Sequence, residues 1–226
     1  TIKKLAKAAV KSSVEEDELI TQAISSVQEL DKAISMFTKR LREWYGLRNP
    51  ELAATVSDNV RFVNELLVDT QTSEMGAKLS KDDEVEIKEA AKNVLVLLKL
   101  RERQEKYLEK RMAEICPNIN AVCGSSIGAK LLSSAGSLRK LAIMPASTLQ
   151  LLGAEKSMFK FLRKRSKKMP RFGILHEHKF IASAPEREKG KAARLLADKI
   201  SIAARVDYFK GEFVGDKLLK DIEDKL

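Results

Sequence analysis

Two cysteines, two histidines and one tryptophan are all that this chain of 226 residues carries of those types. Cys116 and Cys123 are too few and too close together for the disulfide framework of an extracellular domain, and they are expected as small buried residues in a reducing compartment. Aromatic residues reach only 5% against 44% hydrophobic ones, which points to helices rather than aromatic-rich sheets. No apolar run approaches the roughly 18 residues of a membrane span. The opening Thr-Ile-Lys-Lys-Leu-Ala-Lys-Ala-Ala-Val-Lys-Ser-Ser lacks the apolar core and cleavage site of a secretory signal. The start at Thr1, without methionine, leads us to expect a fragment whose N-terminal part is missing.

One further absence is local. From Lys156 to Arg171 there is no acidic residue, while Lys160, Arg163, Lys164, Arg165, Lys167, Lys168 and Arg171 are all basic. A solvated helix face would mix the two signs, so this stretch is expected to meet phosphate-rich nucleic acid. The chain's net charge of +10 is unevenly placed. Residues 1–120 hold 20 basic and 21 acidic side chains and residues 121–226 hold 22 and 11, so the excess is confined to the second half, where it forms a local electrostatic footprint.

The first half is patterned for long helices. Ile20, Ile24, Val27, Leu30, Ile34, Phe37, Leu41 and Trp44 follow steps of three and four, predicting an amphipathic helix that gives way near Gly46. Asn49-Pro50-Glu51 is a start signal for a second helix with the stripe Leu52, Val56, Val60, Val63 and Leu67, ending around Met75-Gly76. Ser80-Lys81-Asp82-Asp83 resembles a capping box with Asp in the reciprocal position. Behind it Ile87, Ala91, Val94, Leu98, Arg101, Glu105, Leu108, Met112 and Ile115 keep a seven-residue repeat, a coiled-coil seam interrupted by two polar residues. Lys81 to Ile115 would extend roughly 50 Å at about 1.5 Å per residue. Residues 12–116 are therefore expected as an antiparallel coiled-coil rod, with residues 1–11 a linker or connecting helix. A second copy or a neighbouring domain should cover what so slender a rod leaves exposed.

Pro117 ends the rod, and residues 117–226 form a second domain. Short helices are expected near 119–135, 146–152 and 154–166, a loop around 167–178, a long helix from Pro185 to about Phe209 and a last one from Gly215 onward. Phe172-Gly173-Ile174-Leu175 is a candidate extended piece, but one such segment makes no sheet. The expected fold class is all-α: a helical rod followed by a compact helical domain.

Several motifs are considered and set aside. Gly124-Ser125-Ser126-Ile127-Gly128 matches a hydrolase elbow with Ser126 as nucleophile, but no buried strand precedes it, and small residues for close helix packing explain it better. His176-Glu177-His178 offers two ligands without a companion cluster, so no metal is expected; contact with RNA or a partner suits these imidazoles better. Gly211 to Lys217 has a phosphate-loop rhythm with the wrong spacing, and is expected to connect two helices. No catalytic residues and no cofactor are assigned. The Gly153-Ala154-Glu155-Lys156 turn differs in kind: small residues let a backbone approach closely, the helix starting there directs amides outward, and Lys156 can meet a phosphate. Glu155 either caps that helix start or accepts hydrogen bonds from a base edge or bound protein. Arg187, Lys189, Lys191 and Arg194 make a second basic patch, with Glu186 and Glu188 interleaved.

Gly136-Ser137-Leu138, Leu141-Ala142, Pro145-Ala146-Ser147-Thr148-Leu149-Gln150, Leu152-Gly153-Ala154-Glu155-Lys156, Gly190-Lys191-Ala192-Ala193-Arg194 and Ile202-Ala203-Ala204-Arg205-Val206-Asp207 occur in the order found in one family. In these pieces, over about residues 118–210, the chain resembles the Nop domain of box C/D ribonucleoproteins and of a related pre-mRNA splicing factor. Where that family often has Ala-Leu-Phe-Arg after the turn, this chain has Ser157-Met158-Phe159-Lys160, which keeps the aromatic and the charge but exchanges a guanidinium for an ammonium.

The resemblance implies a non-enzymatic, all-helical scaffold. Such a scaffold recognises a kink-turn in a box C/D guide RNA already occupied by a small ribosomal-protein-like kink-turn binder. RNA contacts then fall to Gly153, Ala154, Glu155, Lys156, Lys160, Arg163, Lys164, Arg165, Lys167, Lys168, Arg171 and His178, and partner-protein contacts to Gln150, His176, Arg187, Lys189, Lys191 and Arg194. Archaeal family members self-dimerise through the coiled coil, which points to Ile87, Val94, Leu98, Arg101, Glu105 and Leu108, and hold a fibrillarin-type 2′-O-methyltransferase through a separate N-terminal domain. The archaeal reading implies a cytoplasmic protein and a eukaryotic one a nucleolar or nuclear protein. The rivals are a coiled-coil adaptor that binds only proteins and a splicing factor using the same domain.

Overall fold

The structure, a computed structural model, describes residues 2, 3, 6, 7, 16–69, 73–164 and 169–225. Every regular element among these is helical, so the all-α class holds. The chain divides into two compact units: Ser26–Lys106, and the residues up to Ser25 together with Tyr107–Leu226.

The first unit is built on the greater part of α1 (Glu16–Tyr45), on α2 (Pro50–Thr55) and α3 (Asn59–Val68), and on the start and middle of α4 (Lys81–Ile115). Its core gathers Ile34, Leu41, Tyr45, Phe62, Val63, Leu66, Ile87, Ala91 and Val94. The long helices run antiparallel in constant register. Arg101 pairs with Asp31 and Glu84 with Arg48, so equal steps forward on one side and backward on the other bring the partners together. Seam residues named above as a dimer contact are thus engaged within the chain: Ile87 and Val94 in this core, Leu98 against it, and Arg101 with both Asp31 and Glu105. Ser80 and Asp83 form the expected box, the Ser80 hydroxyl accepting from the Asp83 amide at 3.2 Å and the Asp83 carboxylate from the Ser80 amide at 3.3 Å.

The second helix of the sequence reading is in fact two. Asn49 caps α2 through the Leu52 amide at 3.0 Å, but Val56 is already extended and Asp58 starts α3 by accepting from the Arg61 amide at 2.7 Å. Arg42 closes the break: its guanidinium donates to the carbonyls of Ala53, Val56, Ser57 and Asp58 and lies 4.1 Å from the Phe62 ring centre. Val60, expected on the buried stripe, is exposed, and α3 ends at Val68, short of Met75. On α1, Phe37 and Trp44 are exposed while Thr38 and Tyr45 fill the positions expected of them.

The second unit adds to both ends of the long helices α5 (Pro117–Cys123), α6 (Ser125–Ala135), α7 (Leu138–Ile143), α8 (Ala146–Leu151), α9 (Glu155–Leu162), a single 3₁₀ turn at Ile174–Glu177, α10 (Lys179–Ala182), α11 (Lys189–Tyr208) and α12 (Gly215–Glu223). Ile20, Ala23, Ile24, Leu108 and Met112 belong to its core, so the division runs across α1 and α4 and not at Pro117. Helix α11 is central. Ala192, Ala193, Ala197, Ala203 and Ala204 are fully buried, and so many small side chains let α5, α7 and α8 pack closely on it. At its end Asp207 accepts from the Asn118 and Ile119 amides at 3.1 and 2.9 Å and from Asn118 Nδ2 at 2.7 Å, capping α5 from across the core.

Three local expectations are corrected here. Gly124, at φ +78°, splits the helix foreseen over 119–135. Helix α7 was not foreseen, and the segment at Ile174 is a 3₁₀ turn rather than extended. Ser126 lies exposed in the first turn of α6, and a Cβ on Gly128 would come 2.7 Å from Met112 Cε, so this motif serves close helix packing. Both cysteines are free and buried, and burial pushes the Cys116 thiol up to about 12.

Candidate nucleic-acid interface

The turn between α8 and α9 depends on two glycines. Gly153 has φ +85°, a conformation costly for other residues, and a Cβ there would lie 2.6 Å from Ile174 Cγ1. A Cβ on Gly173 would come 1.9 Å from the Leu152 carbonyl. The two segments can therefore touch, and they are tied by Gly173 N to Gln150 O at 3.0 Å, Ile174 N to Leu152 O at 2.9 Å and Gln150 Nε2 to Arg171 O at 2.6 Å. Glu155 bonds within the turn itself: its Oε1 accepts from the Gly153 amide at 2.7 Å. Ala154 is buried beneath.

Helix α9 leaves this turn with no buried residue of its own. Lys156, Lys160, Arg163 and Lys164 are exposed and make no ion pair among the described residues. Lys164 takes the left-handed conformation at φ +56° that terminates the helix. Arg165, Lys167 and Lys168 lie outside the described residues.

Beside the turn is a cleft of about 1310 Å³ lined by Ser147, Gln150 and Leu151 of α8, by Met169, Pro170, Arg171 and Phe172, and by Glu186, Arg187, Gly190, Lys191 and Arg194. The structure thus gathers Gln150, Arg171, Arg187, Lys191 and Arg194, scattered over more than forty positions of sequence, on one surface. Ala192 and Ala193 turn into the core while Lys191 and Arg194 face outward, so one short motif both packs the unit and charges the cleft. Lys191 Nζ donates to the Lys225 carbonyl at 2.9 Å, a neutral partner, and makes no ion pair among the described residues. Four cations face a single carboxylate here, an arrangement suited to phosphate oxygens. Lys189 is held by Glu186 at 3.1 Å.

The assignment of His178 to RNA is corrected. Its side chain is buried, its Nδ1 accepts from the Phe180 amide at 3.3 Å at the start of α10, and the ring also bonds to the backbone of Val122. Burial lowers its pKa, so it is a neutral cap within the core. His176 is exposed, with Nδ1 3.0 Å from the Gly173 carbonyl, and does not line the cleft. Among the described residues no group of three or more His, Cys, Asp or Glu could hold a metal, and no helix is long and apolar enough to cross a membrane. The sequence reading missed Met169, Pro170 and Phe172 as lining. It noted Glu186 only as an interleaved acid, since its tie to Arg171 crosses a loop that spacing does not resolve.

An all-helical unit presenting a glycine-turned cationic helix beside a basic cleft has the charge distribution expected of a nucleic-acid-binding domain. Residues 26–70 and 64–226 match the family described as Nop, snoRNA binding domain, fibrillarin, and the chain belongs to this family. It is 35% identical to nucleolar protein 56 of Mus musculus over 93% of its own length and 42% of the relative's. It is also 35% identical to an uncharacterized NOP5 family protein of Methanocaldococcus jannaschii, over 98% of the chain and 59% of that protein. The chain thus spans about half the length of the curated relatives it matches. Among solved structures, a fibrillarin/Nop5p complex is similar with a TM-score of 0.64 and 27% identity, covering 99% of this chain and 72% of the other.

Proposed function

We propose that this chain is the RNA-facing scaffold of a box C/D ribonucleoprotein. In this reading α9 and the neighbouring cleft clasp a kink-turn of the guide RNA, with Arg171, Arg187, Lys191 and Arg194 turned to its phosphates and Gln150 to the small kink-turn-binding protein already on it. The observation that carries the reading is the convergence of Arg171, Arg187, Lys191 and Arg194 beside the Gly153 turn, with the exposed cations of α9 adjoining. The scaffold holds and positions; the chemistry of 2′-O-methylation belongs to a fibrillarin-type methyltransferase partner. The similarity to Nop5p in its complex with fibrillarin supports that partner. Self-association falls to the unit Ser26–Lys106, where Met36, Phe37, Trp44 and Leu47 are exposed on and just beyond α1. The eukaryotic relatives are named nucleolar, and an archaeal chain would work in the cytoplasm.

Band-shift titration of a kink-turn RNA, with and without its kink-turn binder, tests the proposal. Tight binding is expected only with the binder present, and Lys156→Ala with Arg163→Ala should weaken it about tenfold or more, the worth of two charge-assisted contacts. Equal shifts for wild type and variant would place the RNA site elsewhere.

A further inference from the structure

One acid stands among the cations of the cleft. The two carboxylate oxygens of Glu186 are divided between partners: Oε1 lies 3.5 Å from Arg171 Nη1, and Oε2 lies 3.1 Å from Lys189 Nζ. Arg171 belongs to the segment leaving the cationic loop and Lys189 begins α11, so the carboxylate ties the two together. No burial holds it there, for its side chain is 74% exposed. Glu188, two residues on and equally solvated, makes no ion pair among the described residues.

A guanidinium and an ammonium sharing one anion is the arrangement that a phosphate group takes up. Resting on the RNA-binding reading above, we propose that Glu186 is a built-in counter-ion, a carboxylate that occupies the phosphate position between Arg171 and Lys189 until RNA displaces it. The exchange is one anion for another. Glu186 swings into solvent, where water takes over its carboxylate, and its two cations pass to the phosphate. The displacement costs the same for any RNA, so RNA with few other contacts is turned away, whereas RNA that also engages the Gly153 turn and α9 overcomes it. Glu186 thereby sets the threshold for capture, lowering the affinity for every RNA by the same factor and leaving the ratio between RNAs unchanged.

Band shifts test this with two probes, a kink-turn RNA saturated with its kink-turn binder and an unstructured RNA of equal length. Glu186→Gln should tighten binding of both by about 3- to 10-fold, the worth of two exposed ion pairs released to the ligand. Glu188→Gln, which adds the same unit of net charge, should change binding much less. In the Arg171→Ala/Lys189→Ala background, Glu186→Gln should give no more than Glu188→Gln does. All four positions are solvated or half-buried at the surface, and helical circular dichroism checks that each variant folds. The idea is overturned if the two Gln variants act alike, if the gain survives in the double-alanine background, or if Glu186→Gln weakens binding, which would make the carboxylate a direct contact. Arg171→Ala, Arg187→Ala and Arg194→Ala separate this from the parent reading. If they weaken RNA binding while Glu186→Gln is neutral, only the counter-ion role falls; if they too are without effect, the RNA site itself is misplaced.

Discussion

At Thr38 the core of the unit Ser26–Lys106 encloses a hydroxyl with no hydrogen-bond partner among the described residues, on a side chain that is fully buried. An unpaired buried hydroxyl costs about 1–3 kcal/mol, and valine has the same shape without it. Thr38→Val should therefore raise stability by about 1 kcal/mol, read as a higher urea midpoint at unchanged slope; a lower midpoint would mean that the hydroxyl is satisfied. His178 supplies a pH signature. Its folded pKa lies below the ordinary value of 6.5 because burial disfavours the cation, so its contribution is present above 6.5 and is lost as pH falls through the lowered value. The unit that contains it should weaken as pH falls below about 6.5, and His178→Asn, which can still cap α10, should lose that part of the slope. Melting curves across that range check it, and a slope shared by both proteins would contradict it. Single residues were unevenly legible. Gly153 was expected to sit in a close turn and does, because a small residue before a helix start is a local signal. His178 was misplaced because burial is decided by α5 and α10 closing over it, which no local pattern records.

The helices carry the next layer. Along α1 the sequence stripe advances by three residues at several steps where a straight helix requires four. The core positions of the last turns are instead Ile34, Thr38, Leu41 and Tyr45, so Phe37 and Trp44, each one residue early, stay outside. What the slip exposes matters: Met36 and Phe37 lie on the outer side of α1, large apolar side chains facing water. If this face joins two copies, Met36→Lys with Phe37→Asp should halve the molar mass measured by light scattering and leave the thermal transition of the isolated chain in place. A mass unaffected by the pair would move the interface elsewhere. The regular repeat of α4 was legible, yet its partner was ambiguous, since a seam of this kind suits a second copy as well as a neighbouring helix. The antiparallel register of Asp31 with Arg101 and Arg48 with Glu84 assigns it to α1. The break at Ser57-Asp58 was overlooked although Asp58 is a good cap, because the apolar spacing runs through it unbroken.

Across the whole chain, charge was the more reliable guide and domain boundaries the less. The excess of cations beyond residue 120 was countable, and the cleft and α9 lie within that half. Pro117 was the natural place to divide the chain, but Ile20, Ile24, Leu108 and Met112 pack with the helices beyond it, a long-range choice invisible to spacing. The family follows from residues 26–226, and the box C/D role is built on where those residues bring their cations. The most direct test of that role is the salt dependence of binding to a kink-turn RNA carrying its binder. For the wild-type chain log K should fall steeply with log salt, by about 0.7 to 0.9 for each phosphate neutralised, and Arg171→Ala/Arg187→Ala/Arg194→Ala should reduce the slope by about 2. A slope that the triple variant leaves unchanged, or an affinity indifferent to salt, would contradict the account.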